Sequence, residues 1–329
     1  MKAEVIVAVD AMGGDRAPQV VLDGIELALD RDPHLSIILT GFAESIEAFA
    51  ALHSTRVQAR ATTEIIGFNE HPAHAVRRKK DSSVVVGCQL VKDGQAGGFF
   101  SAGSTGACMA AALLYMGRIK GIHRPALATI LPSPVAPVIL ADIGANADVK
   151  PEYLLQFAQM AGIYAQYILE VEKPRIGLLN IGEEETKGSE LAIQAFGLMK
   201  ERLPDFCGNV EGTEILNGRF DVVITDGFTG NVALKAIEGT AALLFDQLKQ
   251  VLTATTMRKL AASVIKPGLK DLKKNLSAEE VGGAPLLGLK GSCIIGHGSS
   301  NAKAISNGIA VTARCIREDL PGIIEGAIE

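Results

Sequence analysis

Residues 222–235 read VVITDGFTGNVALK. The stretch opens as a short apolar run. It continues through an acid, two glycines, a threonine and an asparagine, and ends as the opening of a helix. Its spacing matches neither a dinucleotide fingerprint nor a Walker A loop. Small residues, backbone amides and a helix N-terminus behind them are still the makings of an anion cradle. The same order recurs in EVIVAVDAMGGD (4–15), GFFSAGSTGA (98–107), PVILADIGANAD (137–148), RIGLLNIGEEETKG (175–188) and SCIIGHGSSNAK (292–303). Unbroken β-branched and apolar runs are the pattern of strands buried on both faces. Their alternation with helical stretches predicts a mostly parallel sheet between helices, a three-layer α/β/α fold. Ligands bind beyond the carboxyl ends of such strands, so the six loops are expected to share one edge. Glycine at a strand-to-helix turn also has purely steric uses. Six such loops that also carry Asp, Ser, Thr, Asn, Lys and His favour a site.

The bulk composition fits one large domain or two ordinary ones. The 329 residues are 48% hydrophobic and 21% charged, a normal globular composition that does not suggest disorder. Five widely spaced cysteines without a CxxC pair suggest neither a disulfide framework nor a zinc knuckle, and fit a reducing compartment. The N-terminus has an acid on each side of a short apolar run and reads as a first strand, not a signal peptide. No run is long enough to cross a membrane. A net charge of −5 argues against general nucleic-acid binding.

Three further segments stand out. Residues 151–170 form a long helix with Pro151 at its start, where proline is tolerated; core packing and a dimer interface both suit it. Residues 241–276 carry seven Lys or Arg against two Asp. Pro267-Gly268 reads there as a break between a helix and a second short helix. Leu260, Val264 and Ile265, with Arg258, Lys259 and Lys266 around them, suit an anionic membrane surface or an acidic partner. A solvated helix pair is the plainer alternative. Arg77, Arg78, Lys79 and Lys80 precede Asp81-Ser82-Ser83, a helix-capping sequence. This basic run is either a solvated face or a dock for an acidic carrier.

Within the loops, Ser104 and Thr105 of GSTGA precede a helix whose terminus favours an anion. Lys187 lies among Glu183, Glu184, Glu185 and Glu190; it either balances their charge or faces a phosphate or a developing oxyanion. His297 either binds phosphate, moves a proton or is a hydrogen-bonded structural residue. Ser299, Ser300 and Asn301 accompany it, and GAN (144–146) and DAMGGD (10–15) add polar groups. There is no GxSxG elbow, no HExxH and no GxGxxG after the first strand. The chemistry left is one in which a bound anion itself attacks, with catalysis by positioning and electrostatics.

Seven motifs, in order from residue 6 to about residue 310, carry a family resemblance. They are VAVDAMGGDRAP, SAGSTGA, LADIGANADVKPEYL, NIGEEETKGSEL, ITDGFTGNVALK, GGAPLLGLKG and IIGHGSSNAKAI. Together they resemble the bacterial phosphate acyltransferases of phospholipid synthesis. The resemblance implies a single α/β/α catalytic domain over 1–329, similar to isopropylmalate dehydrogenases and phosphotransacetylases. It implies transfer of a long-chain acyl group from acyl-acyl carrier protein to inorganic phosphate, giving acyl phosphate, with no cofactor and no metal. It implies a cytoplasmic homodimer associated peripherally with the membrane. The family's essential lysine falls on Lys187 and its essential asparagine on Asn231. Phosphate is expected among the glycine loops, at Gly103, Ser104, Thr105, Gly106, Asn146, Asp226, Gly230, His297, Ser300 and Asn301. The membrane contact is expected on the hairpin at Lys259, Leu260, Val264 and Ile265. Two positions depart from the family pattern: Ser104 replaces an asparagine, and Val281 replaces a tyrosine. Three other readings differ in class. A phosphotransacetylase-like enzyme would use a short acyl-coenzyme A, a hydroxy-acid dehydrogenase would bind nicotinamide, and a membrane scaffold would have no use for the polar loops.

Overall fold

A computed structural model describes residues 4–275 and 282–328. Eleven strands form one sheet in the order β3-β2-β1-β4-β11-β10-β5-β6-β9-β7-β8. They are β1 (Val5–Asp10), β2 (Leu35–Gly41), β3 (Val57–Ala61), β4 (Gly98–Ser101), β5 (Ala126–Leu131), β6 (Val138–Ala141), β7 (Ile176–Asn180), β8 (Phe206–Glu211), β9 (Val222–Ile224), β10 (Ala284–Leu287) and β11 (Ser292–Ile295). The central strands β4, β6, β9 and β11 are buried along their whole length, as their unbroken apolar runs predict.

Helices cover both faces. On one, α1 (Gln19–Arg31), α2 (Ala43–Leu52), α6 (Pro151–Ile168), α7 (Glu190–Arg202), α10 (Ala302–Arg317) and α11 (Leu320–Ile328) enclose a core that includes Ile25, Phe157 and Met199. On the other, α3 (Pro72–Arg78), α4 (Ser83–Lys92), α5 (Thr105–Ala111) and the start of α8 (Gly227–Thr253) enclose a second core that includes Phe99, Leu140 and Val223. Pro151 occupies the first turn of α6, and the helix is a core element, with Phe157 and Tyr164 fully buried.

The sheet departs from expectation in one respect that decides where the site lies. Strands β1, β2, β3, β4 and β11 run parallel, but β10 pairs antiparallel with β11 and with β5, and β5 pairs antiparallel with β6. Strands β6, β9, β7 and β8 are again mutually parallel and run opposite to the first set. The cause is local. Residues 132–137, PSPVAP, join β5 to β6, and a connection that short permits a hairpin but not a parallel crossover. The six polar loops therefore do not share one edge. Those after β1, β4 and β11 emerge on one side of the sheet, and those after β6, β7 and β9 on the other.

The helical excursion also differs in detail. The chain turns at Ala254-Thr255, between α8 and α9 (Thr256–Asn275), and α9 continues through Pro267. Pro267 is exposed, and the helix continues through it where a break was expected. Lys259, Leu260, Val264 and Ile265 all lie on the first half of α9 and are exposed. Residue 276, where the hairpin was expected to end, and Val281 lie outside the described residues.

Candidate functional site

At the first edge, Asp10 ends β1 as a buried carboxylate. Its Oδ2 accepts from Ser101 Oγ at 2.7 Å and its Oδ1 from the Met12 amide at 2.9 Å. Burial pushes this carboxyl above its ordinary range, against the hydrogen bonds that hold it down. Ser101 Oγ in turn accepts from the Gly103 amide at 3.0 Å, which shapes the start of the GSTGA loop. Gly13 lies so close that a Cβ there would sit 2.7 Å from Gly103 N, so the approach requires glycine. The Asp15 amide donates to Gly298 O at 2.8 Å, and Arg16 donates to Ser300 O at 3.1 Å. These contacts gather Gly103, Ser104, Thr105 and Gly106 with His297 and Ser300.

The side chains here differ in what they leave available. Ser104 is the N-cap residue of α5, yet its hydroxyl makes no capping bond. His297 is exposed; its Nδ1 accepts from the Ser299 amide at 3.2 Å, so in the neutral ring Nε2 carries the proton and can donate it. Asn301 is a structural cap, its Oδ1 accepting from the Ala304 amide at 2.9 Å at the start of α10. Arg16, not singled out in the sequence, is the guanidinium beside these loops. Burial pushes the Cys108 thiol below them up to about 12, which makes it a poor nucleophile.

At the second edge, Asp142 organises the loop after β6. Its Oδ1 accepts from the amides of Leu127, Gly144 and Ala145 at 3.0–3.1 Å. Its Oδ2 accepts from the Asn146 amide at 2.7 Å and from Asn146 Nδ2 at 2.8 Å. Burial raises this carboxyl too, and the donors around it oppose the rise. Asn146 also donates to Pro125 O at 2.8 Å, and its carbonyl accepts from the Gly227 amide at 2.7 Å. Asn146 therefore holds the opening of α8 in place, with its own donors engaged inside the protein. Gly230 rests directly on the Asp142 carbonyl, where no Cβ would fit.

The opening of α8 is less of an anion cradle than its composition suggests. Asp226 caps it, accepting from the Thr229 amide at 2.8 Å and from Thr229 Oγ1 at 2.7 Å. The Thr229 and Gly227 amides are thus engaged within the protein. What the turn presents outward is the exposed Asn231 side chain.

Lys187 lies in the loop between β7 and α7. A cleft of about 250 Å³ is lined by Gly188 and Ser189 on one side and by Asp226 and Thr229 on the other. Of the acids near Lys187, Glu183 pairs with Arg219 at 2.7 Å and Glu185 pairs with Lys200 at 2.6 Å. Among the described residues no carboxylate lies within ion-pair distance of the Lys187 ammonium, which is exposed. No ion pair within the loop accounts for this lysine. Of the residues expected on this edge, Asp226 lines the cleft, Lys187 precedes its Gly188 wall and Asn231 follows its Thr229 wall, while Asn146 and Gly230 pack within the start of α8. Ser104 and His297 lie on the opposite edge.

The comparisons with known proteins agree with this architecture. The family model described as "Fatty acid synthesis protein" matches residues 5–322. The chain is 51% identical over 322 residues to a phosphate acyltransferase of Desulfitobacterium hafniense, covering 97% of this chain and 95% of that one. It is 45% identical to a phosphate acyltransferase of Bacillus licheniformis, over 98% of each chain. Among solved structures, a phosphotransacetylase from Streptococcus pyogenes superposes with a TM-score of 0.63 at 16% identity, over 95% of this chain and 94% of that one. A branched-chain phosphotransacylase from Enterococcus faecalis gives 0.59 at 13%, over 95% and 99%. The two structures share the fold with this chain. On the match across nearly its whole length, the chain belongs to the fatty acid synthesis protein family of phosphate acyltransferases, and is an acyltransferase.

Proposed function

We propose that this enzyme moves a long-chain acyl group from acyl carrier protein to inorganic phosphate, yielding acyl phosphate for phospholipid synthesis, with residues 1–329 as one catalytic unit. The observation that carries the reading is the exposed Lys187 ammonium, with no carboxylate at ion-pair distance, next in the chain to the Gly188–Ser189 wall of an open cleft. A phosphate oxygen attacks the thioester carbonyl, a tetrahedral oxyanion forms, and the C–S bond breaks to release the carrier thiolate. Lys187 and Asn231 hold the phosphate and stabilise the negative charge as it develops. A thiol with a pKa near 8.5 is a good leaving group, so no strong acid is required. No covalent acyl-enzyme is needed, in keeping with the high thiol value at Cys108.

The carrier docks on α3 in this reading. Arg77, Arg78 and Lys80 are exposed there, whereas Lys79 is held by Glu70 at 2.7 Å. Pro72, at the start of α3, packs against Gly106 of the GSTGA loop, so the basic surface adjoins that edge. On α9, Met257, Leu260 and Val264 form one exposed apolar stripe, 64% exposed at Leu260 and 79% at Val264. Flanked by Arg258, Lys259 and Lys266, it suits peripheral contact with an anionic membrane. No described helix is long and apolar enough to cross one. We place the protein in the cytoplasm as a homodimer.

The test combines purified protein with palmitoyl-acyl carrier protein, with and without phosphate, and traps the product with hydroxylamine. Phosphate-dependent loss of thioester with formation of hydroxamate is expected. Lys187→Ala and Asn231→Ala are each expected to lower the rate on the order of 10²- to 10³-fold. Thioester loss indifferent to phosphate would refute the reading.

A further inference from the structure

Residues 62–71 join β3 to α3 as a strap that is tied down along its length. Thr63 donates to Asp81 Oδ2 through its amide at 2.9 Å and its hydroxyl at 2.6 Å. Lys79 Nζ donates to Ile65 O and to Glu70 Oε1, both at 2.7 Å, and the Gly67 amide donates to Glu70 Oε1 at 2.8 Å. On this fixed strap the Phe68 ring is 56% exposed. It lies beside the loop of His297, where a Cβ on Gly298 would come within 3.2 Å of it. Where the strap runs into α3, Glu70, His71, His74, Ala75, Arg77 and Arg78 line an open cleft of about 570 Å³.

The helix period makes this cleft cationic. Residues three and four apart share a face, so His71, His74, Arg77 and Arg78 stand together, all exposed, while Val76 is buried in the core on the other side. The His71 and His74 rings meet edge to face with centroids 4.8 Å apart. Each ring offers an N–H donor whether neutral or charged. Glu70, the one acid lining the cleft, is already bound by Lys79 at 2.7 Å and by Arg78 at 3.8 Å. Among the described residues Arg77 has no ion-pair partner. Among the same residues no group of three His, Cys, Asp or Glu side chains is placed to hold a metal ion. Two imidazoles and a planar guanidinium fork suit the oxygens of a phosphate group.

We propose that this cleft is the subsite for the phosphate end of the phosphopantetheine arm that carries the acyl thioester. That arm is a chain with a phosphate at one end, an apolar dimethyl segment next to it, and two amides before the sulfur. Arg77, His71 and His74 take the phosphate, and the Phe68 ring packs on the dimethyl segment. The arm holds its phosphate well away from its thioester, so this donor needs a subsite apart from the reacting carbonyl. Binding energy gained there positions the thioester for attack. The inference rests on the acyl-transfer reading above and names the part of the donor that α3 recognises.

Two small donors that differ only in that phosphate test it: palmitoyl-phosphopantetheine and palmitoyl-pantetheine. The full-length enzyme turns over each with inorganic phosphate, and hydroxamate is measured. Wild type should favour the phosphorylated donor in kcat/KM on the order of 10- to 100-fold, the range for hydrogen bonds to a charged group. Arg77→Gln, and separately His71→Gln with His74→Gln, should each shrink that preference about tenfold, chiefly through KM for the phosphorylated donor. A general folding fault slows both donors alike and cannot imitate this change of ratio. Equal losses on both donors would overturn the inference, as would a wild type indifferent to the phosphate. A raised KM for inorganic phosphate with the preference intact would assign the cleft to the free ion. A loss confined to palmitoyl-acyl carrier protein would assign it to the carrier's acidic surface. Either result refutes the arm subsite. If wild type turns over none of the three donors in a phosphate-dependent way, the acyl-transfer reading itself fails, an outcome distinct from all of these.

Discussion

Replacing Asp142 by asparagine isolates what one buried carboxylate does for the second edge. Five N–H donors converge on its two oxygens. An asparagine can keep one oxygen under the amides of Leu127, Gly144 and Ala145. Its amino group then faces the Asn146 amide and Asn146 Nδ2, and both lose their acceptor. Turning the Asn146 side chain over does not help, because Nδ2 also donates to Pro125 O at 2.8 Å. Two hydrogen bonds to a charged group are worth roughly 3–6 kcal/mol together. Removing a buried charge returns part of that, since burial already raises this carboxyl. A net loss of about 3 kcal/mol is expected, about 4 °C in Tm for a chain of this size. Asn146 O anchors the Gly227 amide, so the opening of α8 should shift and Asn231 with it. A displacement of about 1 Å there can cost 10²-fold in rate. Scanning calorimetry and the hydroxylamine assay measure the two effects, with kcat expected to fall much more than KM rises. A variant with wild-type Tm and kcat would refute the role assigned to this loop.

Asp10→Asn should flatten the dependence of stability on pH. The folded-state carboxyl lies above the ordinary 3.8, so the native protein holds its proton longer, and stability falls as pH rises from about 3.8 through the folded value. Asparagine can accept from the Met12 amide and donate to Ser101 Oγ, so Tm against pH should lose that slope without collapse of the fold. Arg175→Ala strips Asp221 of the bidentate partner that holds its carboxyl below the ordinary range against the opposing pull of burial. Because Arg175 is half-exposed, a loss of about 2 kcal/mol is expected in urea unfolding. It should be present at neutral pH and vanish as pH falls through the folded value of Asp221. Leu260→Asp with Val264→Asp should abolish co-sedimentation with phosphatidylglycerol vesicles and leave the rate on soluble substrate unchanged; retained binding would remove α9 as the membrane contact.

Much of this architecture is legible in the chain because it is written in local pattern. The runs VVI, VILA and SCII are apolar without alternation, and burial on both faces is the simplest physical reason for that. Pro151 marks the start of α6 for an equally local reason. The direction of a strand within a sheet is not written in its own residues. It depends on how the chain returns to the sheet, and the informative signal was the short PSPVAP connection, which has no room for a crossover helix. Pro267 misleads in the opposite way: its cost is real, yet α9 continues through it as an exposed helix.

The candidate site shows the same division. Lys187 and Asn231 stand out in sequence as polar groups in glycine loops, yet so do Asn146 and Asn301, and residue type alone does not separate them. Hydrogen bonding does. Asn301 caps α10 and Asn146 ties the loop after β6 to α8, so their polar atoms already have partners. Glu183 and Glu185 near Lys187 pair elsewhere, and its ammonium has no carboxylate at ion-pair distance among the described residues. A buried structural network and an available cation have similar compositions and opposite consequences. The first positions the opening of α8 and the second is left available, so damage to Asp142 and damage to Lys187 should both lower turnover by about 10²-fold or more, but only the former should also lower Tm.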